Sequence, residues 1–236
     1  CGGKIDCGCL RLKFNACLPP ARKTLNPRNN QGLTMKLYQS PSPNARRVHI
    51  FMAEKGIDCE RINIDIRSGE NISAPYLAKN PGGGVPMLEL DDGTCIGESV
   101  AICRYLEGIH PEPNLLGSTA LSSAQIEMWQ RRAEQKFFFE VAGAFRNITG
   151  FFKDRETCVK EWGQVCAKKA TASLAMFEKQ LASHSYLAGD TFSIADITLV
   201  AALDFAKQIK VVEIPKLDHI ERWYGEVNER PSMSAT

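Results

Sequence analysis

The stretch NPGGGVPMLELDDGTCIGES, residues 80–99, brings three consecutive glycines, a Val-Pro pair and a Glu-Ser pair close together. A glycine-rich loop that cradles phosphate usually leads into a helix, whose first N–H groups hold the anion. Here the glycines lead into the strand-like run VPMLEL, and no Lys-Ser or Lys-Thr pair follows them. The stretch therefore does not predict a phosphate site.

Two interpretations of Val85-Pro86 remain on local grounds. The pair belongs either to an ordinary loop before a strand or to a backbone clamp. Proline is tolerated at the start of a strand, where its missing N–H costs little. A cis bond at this pair would turn the preceding backbone outward, where it could pair with an extended, peptide-like ligand. The elements around the pair must decide between the two.

Residues 35–110 alternate between strand and helix patterns. Strand patterns at 35–40 and 57–66 flank a helix pattern at 45–56, for which Asn44 is a natural N-cap. A short helix is expected at 74–79, followed by a hairpin turning at Asp91-Asp92-Gly93 and a helix at 98–110. Strands joined by a helix should be parallel and a hairpin antiparallel, so we expect a mixed four-stranded sheet with flanking helices.

The second half of the chain has helical patterns only. Residues 112–122 are rich in Pro, Gly and Ser, and we interpret them as a linker between a domain at 35–111 and an all-helical domain at 123–236. Ser193 and Asp196 form a capping box at the start of one helix. The final RPSMSAT has no helix pattern, which favours a truncated end. Two stripes at helical spacing are predicted to be core: Ile126, Trp129, Ala133, Phe137, Val141, Phe145 and Ile148, then Val159, Trp162, Cys166, Ala170, Leu174, Phe177 and Leu181.

Composition limits the function classes. The chain has 236 residues, of which 44% are hydrophobic and 24% are charged, which suffices for a substantial core. The formal net charge is only +2, and without a basic body nucleic acid is not expected as a partner. No apolar run approaches the roughly 20 residues that cross a bilayer, so no membrane is expected either.

Residues 1–34 differ from the rest of the chain. They hold six Lys and Arg residues but one Asp, and they precede the first methionine, Met35. We interpret them as a leader or non-native extension, disordered and outside the fold. The alternative is metal binding by their cysteines, but no histidine accompanies these and their spacing fits no standard zinc pattern, so no metal is expected. The remaining five cysteines are scattered, which is typical of reduced thiols in a cytoplasmic protein.

Four segments in this order resemble the soluble glutathione S-transferase superfamily: SPSPNARRVHIFMAEKG, LAKNPGGGVPMLELDDG, IGESVAICRYLE and LAGDTFSIADITL. The resemblance runs from Met35 to about Ser232 and is strongest to the bacterial and fungal branch with a Ser/Asn-type site. It implies an α/β thioredoxin-like N-terminal domain, an all-α C-terminal domain, a homodimer and a cytoplasmic location. It also implies no permanently bound cofactor and glutathione as cosubstrate.

The resemblance also assigns the ligand-binding residues. In this family the proline matching Pro86 follows a cis bond, and the residue matching Val85 pairs its backbone with the cysteinyl part of glutathione. Glu98 and Ser99 match the pair that receives the γ-glutamyl end. Some classes carry a basic residue for the glycyl carboxylate where Asn71 or Ile72 stands, and neither of these is basic.

The group for the glycyl carboxylate and the group that activates the thiol stay open. Lys79 and Arg47 are substitutes for Asn71 at the glycyl carboxylate. Ser42 falls where serine-type members keep the hydroxyl that activates the thiol, and Asn44 falls where another class keeps cysteine. Ser40, Tyr38 and a bound water could serve in place of Ser42 or Asn44, and Asn44 could also be a simple helix cap.

The expected activity follows from the same resemblance. The glutathione thiolate would add to, or substitute on, a hydrophobic electrophile, with peroxide reduction as a second use. The apolar segment EVAGAFRNITGFF, residues 140–152, favours a hydrophobic cosubstrate. The alternative is a non-catalytic structural or interaction module of the same fold, which would have no need of a ligand clamp.

Overall fold

The computed structural model describes residues 34–235. The predicted extension at 1–34, apart from Thr34, lies outside these residues, as do the cysteines with which metal binding was weighed. Among the helices of residues 34–235, none combines the length and the apolar character that spanning a bilayer requires.

The N-terminal part is built on a four-stranded sheet. Its strands are β1 (Lys36–Gln39), β2 (Glu60–Asn63), β3 (Met87–Glu89) and β4 (Cys95–Ile96), in the spatial order β2-β1-β3-β4. Strand β1 runs parallel to β2 and antiparallel to β3, and β3 pairs antiparallel with β4. The mixed sheet predicted from the patterns is confirmed.

Helices cover both faces of this sheet. Successive strand residues point to opposite sides, so apolar side chains lie on both faces and each face packs against helices. Leu37 and Leu88, which pair across β1 and β3, belong to the core cluster that includes α1 (Pro43–Glu54) and α3 (Ser99–Ile109). Met87, one residue along, belongs to the cluster of Tyr76 from α2 (Ala74–Lys79). The end of β1 and the start of β3, which lie side by side, are therefore held between packed helices.

The start of α1 differs from the prediction. The helix begins at Pro43 and not at Ala45, and its N-cap is Ser42, whose Oγ accepts a hydrogen bond from the Ala45 N–H at 3.2 Å. Proline fits the first helical turn because its missing N–H would be unpaired there in any case. The prediction of Asn44 as the N-cap is therefore wrong, and Asn44 lies within the first turn.

The remainder of the chain is helical. It contains α4 (Ala120–Arg132), α5 (Phe139–Thr149), α6 (Lys160–Leu181), α7 (Ile194–Ile209) and α8 (Asp218–Asn228). A π-helical turn, Ala133–Phe138, joins α4 to α5. Helix α4 begins inside the predicted linker. The buried helix α7 packs against both α1 and α4, so a single hydrophobic core runs from the sheet into the helical part.

The predicted capping box at α7 is confirmed and is fully buried. The Asp196 carboxylate accepts bonds from the Ser193 N–H and Oγ at 3.0 and 3.1 Å, and from Leu187 N–H and Trp223 Nε1, both at 2.9 Å. Burial raises the pKa of Asp196 to about 6, and these donors oppose the rise. The box therefore joins the loop before α7 and helix α8 to the start of the central helix.

Two features of the helical part contradict the sequence patterns. Val159 and Trp162, predicted as core, are 46% and 50% exposed. Helix α6 instead presents Gly163 to α5, where an added Cβ would lie 2.7 Å from Ile148 Cγ1. The C-terminal residues are packed, with Ser232 and Met233 buried in a 3-10 helix (Pro231–Ser234) that contacts α1.

Candidate functional site

The end of β1 and the Val85-Pro86 bond lie side by side. Tyr38 pairs with Met87 in the antiparallel register, so Ser40 and Val85 lie two residues beyond this pair, at the same end of the two strands. The Val85-Pro86 bond is cis, as the resemblance implied. Among residues 34–235, neither the N–H nor the carbonyl of Val85 has a hydrogen-bond partner. An extended ligand can therefore pair with this backbone.

The glycine loop before this bond is held in place. Asn71 Nδ2 donates to the Gly83 carbonyl at 2.7 Å, and the Gly84 carbonyl accepts from the Tyr76 hydroxyl and from Asn80 Nδ2, both at 2.8 Å. Gly83 has a φ of +61°, and a Cβ there would lie 3.2 Å from the Asn71 carbonyl oxygen, so both the backbone and the available space favour glycine. The Asn71 amide nitrogen, predicted to contact ligand, is used to fix the loop.

Glu98 and Ser99 stand at the N-terminus of α3. Glu98 is the N-cap and has a φ of +61°, a conformation uncommon outside glycine and often found at functional sites. Its side chain is exposed and makes no hydrogen bond or ion pair with another residue of the 34–235 range. Ser99 is buried. The pair thus offers one free carboxylate beside the first N–H groups of a helix.

A cavity of about 250 Å³ brings several of these groups together. It is lined by Asn44, Glu98, Ser99, Val100, Arg131, Glu134 and Phe139. The Ser99 hydroxyl donates to Asn44 Oδ1 at 3.3 Å, which joins the starts of α1 and α3. Ser42 and Val85 do not line this cavity. The structure therefore unites Asn44 with the Glu98-Ser99 pair and leaves Ser42 outside the cavity, as the cap of α1.

Besides Glu98, two charged residues line this cavity, Arg131 and Glu134, and sequence reasoning missed both. Arg47 is 1% exposed, and its Nη1 donates to Ser99 Oγ at 2.8 Å and to Glu134 Oε1 at 3.0 Å. Arg131 Nη1 lies 2.6 Å from Glu134 Oε2. Arg47, a candidate for the glycyl carboxylate, is committed to Ser99 instead. No local sequence signal marks Glu134, because the residue next to a core position on a helix points about 100° away from it.

Tyr38 and Lys79 are engaged away from this cavity. The Tyr38 hydroxyl donates to Glu89 Oε2 at 2.5 Å, and Lys79 Nζ lies 2.8 Å from the same oxygen. Ser40 is buried, with 7% exposure. The contacts of Tyr38 and Lys79 and the burial of Ser40 favour the two polar residues at the start of α1, Ser42 and Asn44, as candidates for the group that activates the thiol.

The cysteines in the described part of the chain are free: Cys59, Cys95, Cys103, Cys158 and Cys166. Burial raises the pKa of Cys103 to about 12 and that of Cys166 to about 11, so these two thiols are protonated at neutral pH. Within residues 34–235, no group of three or more His, Cys, Asp and Glu side chains could hold a metal ion.

A second cavity, of about 270 Å³, lies between the loop after β2 and the loop after α5. It is lined by Ile66, Arg67, Phe151, Phe152, Asp154 and Arg155. Arg155 donates to the Ile66 carbonyl at 3.1 Å and to the Arg67 carbonyl at 3.2 Å. The helical part therefore reaches the sheet domain on this side as well.

Comparison with known families gives two matches. The family described as "Glutathione S-transferase, N-terminal domain" matches residues 41–109. The family described as "Glutathione S-transferase, C-terminal domain" matches residues 151–231. The first match contains both ends of the candidate site, from Ser42 to Ser99.

Individual relatives span most of the chain. Glutathione S-transferase 2 of Saccharomyces cerevisiae is 37% identical over 204 residues, covering 84% of this chain and 88% of the relative. A glutathione S-transferase domain-containing protein of Marinobacter aquaeolei is 38% identical, with a TM-score of 0.81 over 84% of this chain and all of that one. Gtt2 of Saccharomyces cerevisiae is 36% identical, with a TM-score of 0.80 over 84% of this chain and 98% of that one.

Proposed function

The chain belongs to the glutathione S-transferase family, and on this basis we propose how its site binds glutathione and activates the thiol. The chain is a glutathione transferase of the fungal and bacterial type. One observation carries the assignment of the site: the unpaired Glu98 carboxylate stands at the start of α3, and the backbone of Val85 is free at a cis bond. A tripeptide with a charged amino-acid end and a central peptide unit matches that arrangement.

The γ-glutamyl end is assigned to the cavity that contains Glu98. The Glu98 carboxylate holds the ligand ammonium, while Ser99 and the first N–H groups of α3 hold the ligand carboxylate. Asn44 belongs to this end, because it shares the cavity and accepts the Ser99 hydroxyl bond. The cysteinyl part pairs with the backbone of Val85, which places the sulfur toward the start of α1.

The activation of the glutathione thiol is assigned to Ser42. Its Oγ accepts the bond from the Ala45 N–H, which leaves the hydroxyl proton to donate to the sulfur. The N-terminal N–H groups of α1 add a favourable potential for the thiolate. Ser42 therefore caps the helix and stabilises the anion with one hydroxyl, and neither function requires Ser42 to ionise.

The electrophile is assigned to the apolar surface of the helical part. Phe139 lines the cavity and is 59% exposed, and the Phe145 ring contacts Phe151 in a tilted arrangement and Phe205 edge to face. Aromatic side chains at the wall of an open cleft favour a hydrophobic cosubstrate over a charged one. The thiolate forms a bond to an electrophilic carbon, with loss of a halide or uptake of a proton. In the peroxide reaction it attacks one peroxide oxygen, the O–O bond breaks and an alcohol leaves after protonation. A second glutathione then converts the resulting sulfenic acid to glutathione disulfide and water.

The activity is tested with a panel of electrophiles. The chain is expected to conjugate glutathione to aromatic halides and α,β-unsaturated carbonyls, or to reduce cumene hydroperoxide, and to be retained on glutathione-agarose. Retention without turnover of any member would indicate the non-catalytic module. Failure to bind the resin or free glutathione would contradict the assignment of the ligand site itself.

We place the enzyme in the cytoplasm as a homodimer. The five described cysteines are free, as expected in a reducing compartment. Leu121 and Met128, which are 69% and 40% exposed on α4, supply apolar surface for a second copy. Light scattering is expected to give twice the monomer mass, and Leu121→Glu with Met128→Glu should reduce it. A monomeric mass for the unmodified chain would refute the dimer.

A further inference from the structure

The buried ion pair between Arg47 and Glu134 is the least expected feature beside the site. Arg47 is in α1 and Glu134 is in the π-helical turn, and both side chains are at most 9% exposed. Burial lowers the pKa of Arg47, and the Glu134 carboxylate opposes that shift. Two further donors of Arg47, Nε and Nη2, are buried without a hydrogen-bond partner among the described residues.

Stability alone does not account for this pair. Replacing a buried ion pair by apolar side chains of similar volume is often neutral or stabilising, because two charges no longer have to be desolvated. The Arg47 guanidinium lies 5.0 Å from the centre of the Phe138 ring, so part of its surroundings is apolar. The charges therefore point to a role in the geometry of the neighbouring site.

The hydrogen bonds of Arg47 dictate the direction of the Ser99 hydroxyl. A guanidinium can only donate, so Ser99 Oγ must accept from Arg47 Nη1. The single Ser99 proton is then directed away from Arg47 and toward Asn44, on the cavity side. The second hydrogen of the same nitrogen is held by Glu134 Oε1, which prevents the guanidinium from turning away.

We propose that Glu134 and Arg47 form a relay across the domain boundary that presets Ser99 as a hydrogen-bond donor to the carboxylate of the γ-glutamyl end. This inference rests on the proposed function of that cavity. In the free protein the Ser99 hydroxyl donates its hydrogen bond to Asn44 Oδ1. When the ligand binds, the hydroxyl donates to the ligand carboxylate instead. Glu134 and Arg47 are positioning residues, since they act through Ser99. A π-helical turn at a functional site is a recurrent arrangement, and here it supplies Glu134.

The test compares glutathione with 4-aminobutyryl-cysteinyl-glycine, which lacks only the α-carboxylate. Arg47→Met should weaken glutathione binding by about 5- to 20-fold and binding of the analogue by less than about 2-fold, as expected for a bond to a charged group. Glu134→Gln should weaken glutathione binding by about 3- to 10-fold, while Arg47→Lys, which still donates, should retain most of the affinity. Calorimetry measures each dissociation constant.

The controls separate a relay from general damage. Arg132→Gln removes a neighbouring α4 cation that stacks on Trp129, and it should change neither ligand's affinity. In a Ser99→Ala background, Arg47→Met should have no further effect. Equal weakening of both ligands by Arg47→Met and by Glu134→Gln would overturn the relay. If Arg47→Met does not fold, Glu134→Gln decides alone.

The proposed function can fail independently of the relay. If the unmodified chain binds glutathione and the analogue equally, the cavity does not hold the α-carboxylate, and the γ-glutamyl assignment is wrong. If the unmodified chain discriminates and both relay variants discriminate equally well, the assignment stands and the relay is refuted.

Discussion

Replacing Glu98 by alanine is expected to weaken glutathione binding by about 10- to 150-fold, which corresponds to the 1.5–3 kcal/mol of a hydrogen bond to a charged group. The Glu98 carboxylate has no partner within residues 34–235, so its loss leaves no other buried group unpaired in the free protein. The cost arises on binding, when the ligand ammonium meets no carboxylate. Titration calorimetry measures the two dissociation constants.

Two comparisons make this result specific to the ammonium. Glutaryl-cysteinyl-glycine, which lacks the amino group, should bind the Glu98→Ala variant as well as it binds the original chain. Asp91→Ala removes an acidic group of the hairpin turn and should leave glutathione binding unchanged. Undiminished affinity of Glu98→Ala for glutathione would remove Glu98 from the γ-glutamyl site.

Replacing Ser42 by alanine is expected to raise the pKa of the bound thiol by about one to two units. A free thiol has a pKa near 8.5, so only about 3% is thiolate at pH 7, and a fall of about two units makes roughly three quarters of it thiolate. That fall requires the site to favour the thiolate over the thiol by about 2.7 kcal/mol. A donated hydrogen bond to the sulfur supplies about 1.5–3 kcal/mol, and the start of α1 adds about 0.3–1 kcal/mol.

The expected kinetic effect of Ser42→Ala depends on pH. At pH 7 the thiolate fraction, and with it the rate, should fall by about 3- to 25-fold, while near pH 9 the two enzymes should converge because both thiols are largely ionised. Glutathione binding should change little, since the sulfur is not the main source of affinity. Thiolate absorbance of bound glutathione against pH gives the titration curve directly.

The cap function of Ser42 requires a second substitution. Alanine at an N-cap costs about 0.5–2 kcal/mol of stability, whereas glycine costs only a few tenths. Ser42→Gly should therefore shift the thiol pKa as much as Ser42→Ala does, with a smaller loss of melting temperature. A titration curve that is the same in both variants as in the original chain would transfer the role to Asn44 or to a bound water.

Local patterns along the chain were enough to predict the order and type of the elements that form the site. Alternating and helical patterns predicted β1, α2, the hairpin at Asp91-Asp92-Gly93 and the helix after Glu98, because these signals are local. The capping box of Ser193 and Asp196 was equally readable, since cap and partner lie three residues apart. The resemblance supplied the cis bond at Val85-Pro86, which no local pattern requires.

Which polar groups are free for a ligand depends on the folded chain. Asn71 and Ser42 have side chains that local chemistry can assign to several partners, and only the fold commits Asn71 to the Gly83 carbonyl and Ser42 to the start of α1. Likewise, Trp162 is apolar and correctly spaced for a core, yet it is exposed because Gly163 allows a closer approach of α5. Packing distance decided the buried residue only at this end of α6, because the rest of the predicted stripe is buried as its periodicity indicated: Cys166, Ala170, Leu174, Phe177 and Leu181.

The hydrogen bonds from Arg47 to Ser99 and Glu134 likewise depend on the folded chain and not on local sequence. These residues are separated by 52 and 87 positions, and no pattern within one helix indicates that their side chains meet. From the sequence, Arg47 is a candidate for the glycyl end because a cation suits any carboxylate. The fold places it behind Ser99 because α1 packs against α3, with the π-helical turn supplying Glu134 from the helical part. Hydrogen-bond direction at the site is therefore a product of packing between distant segments.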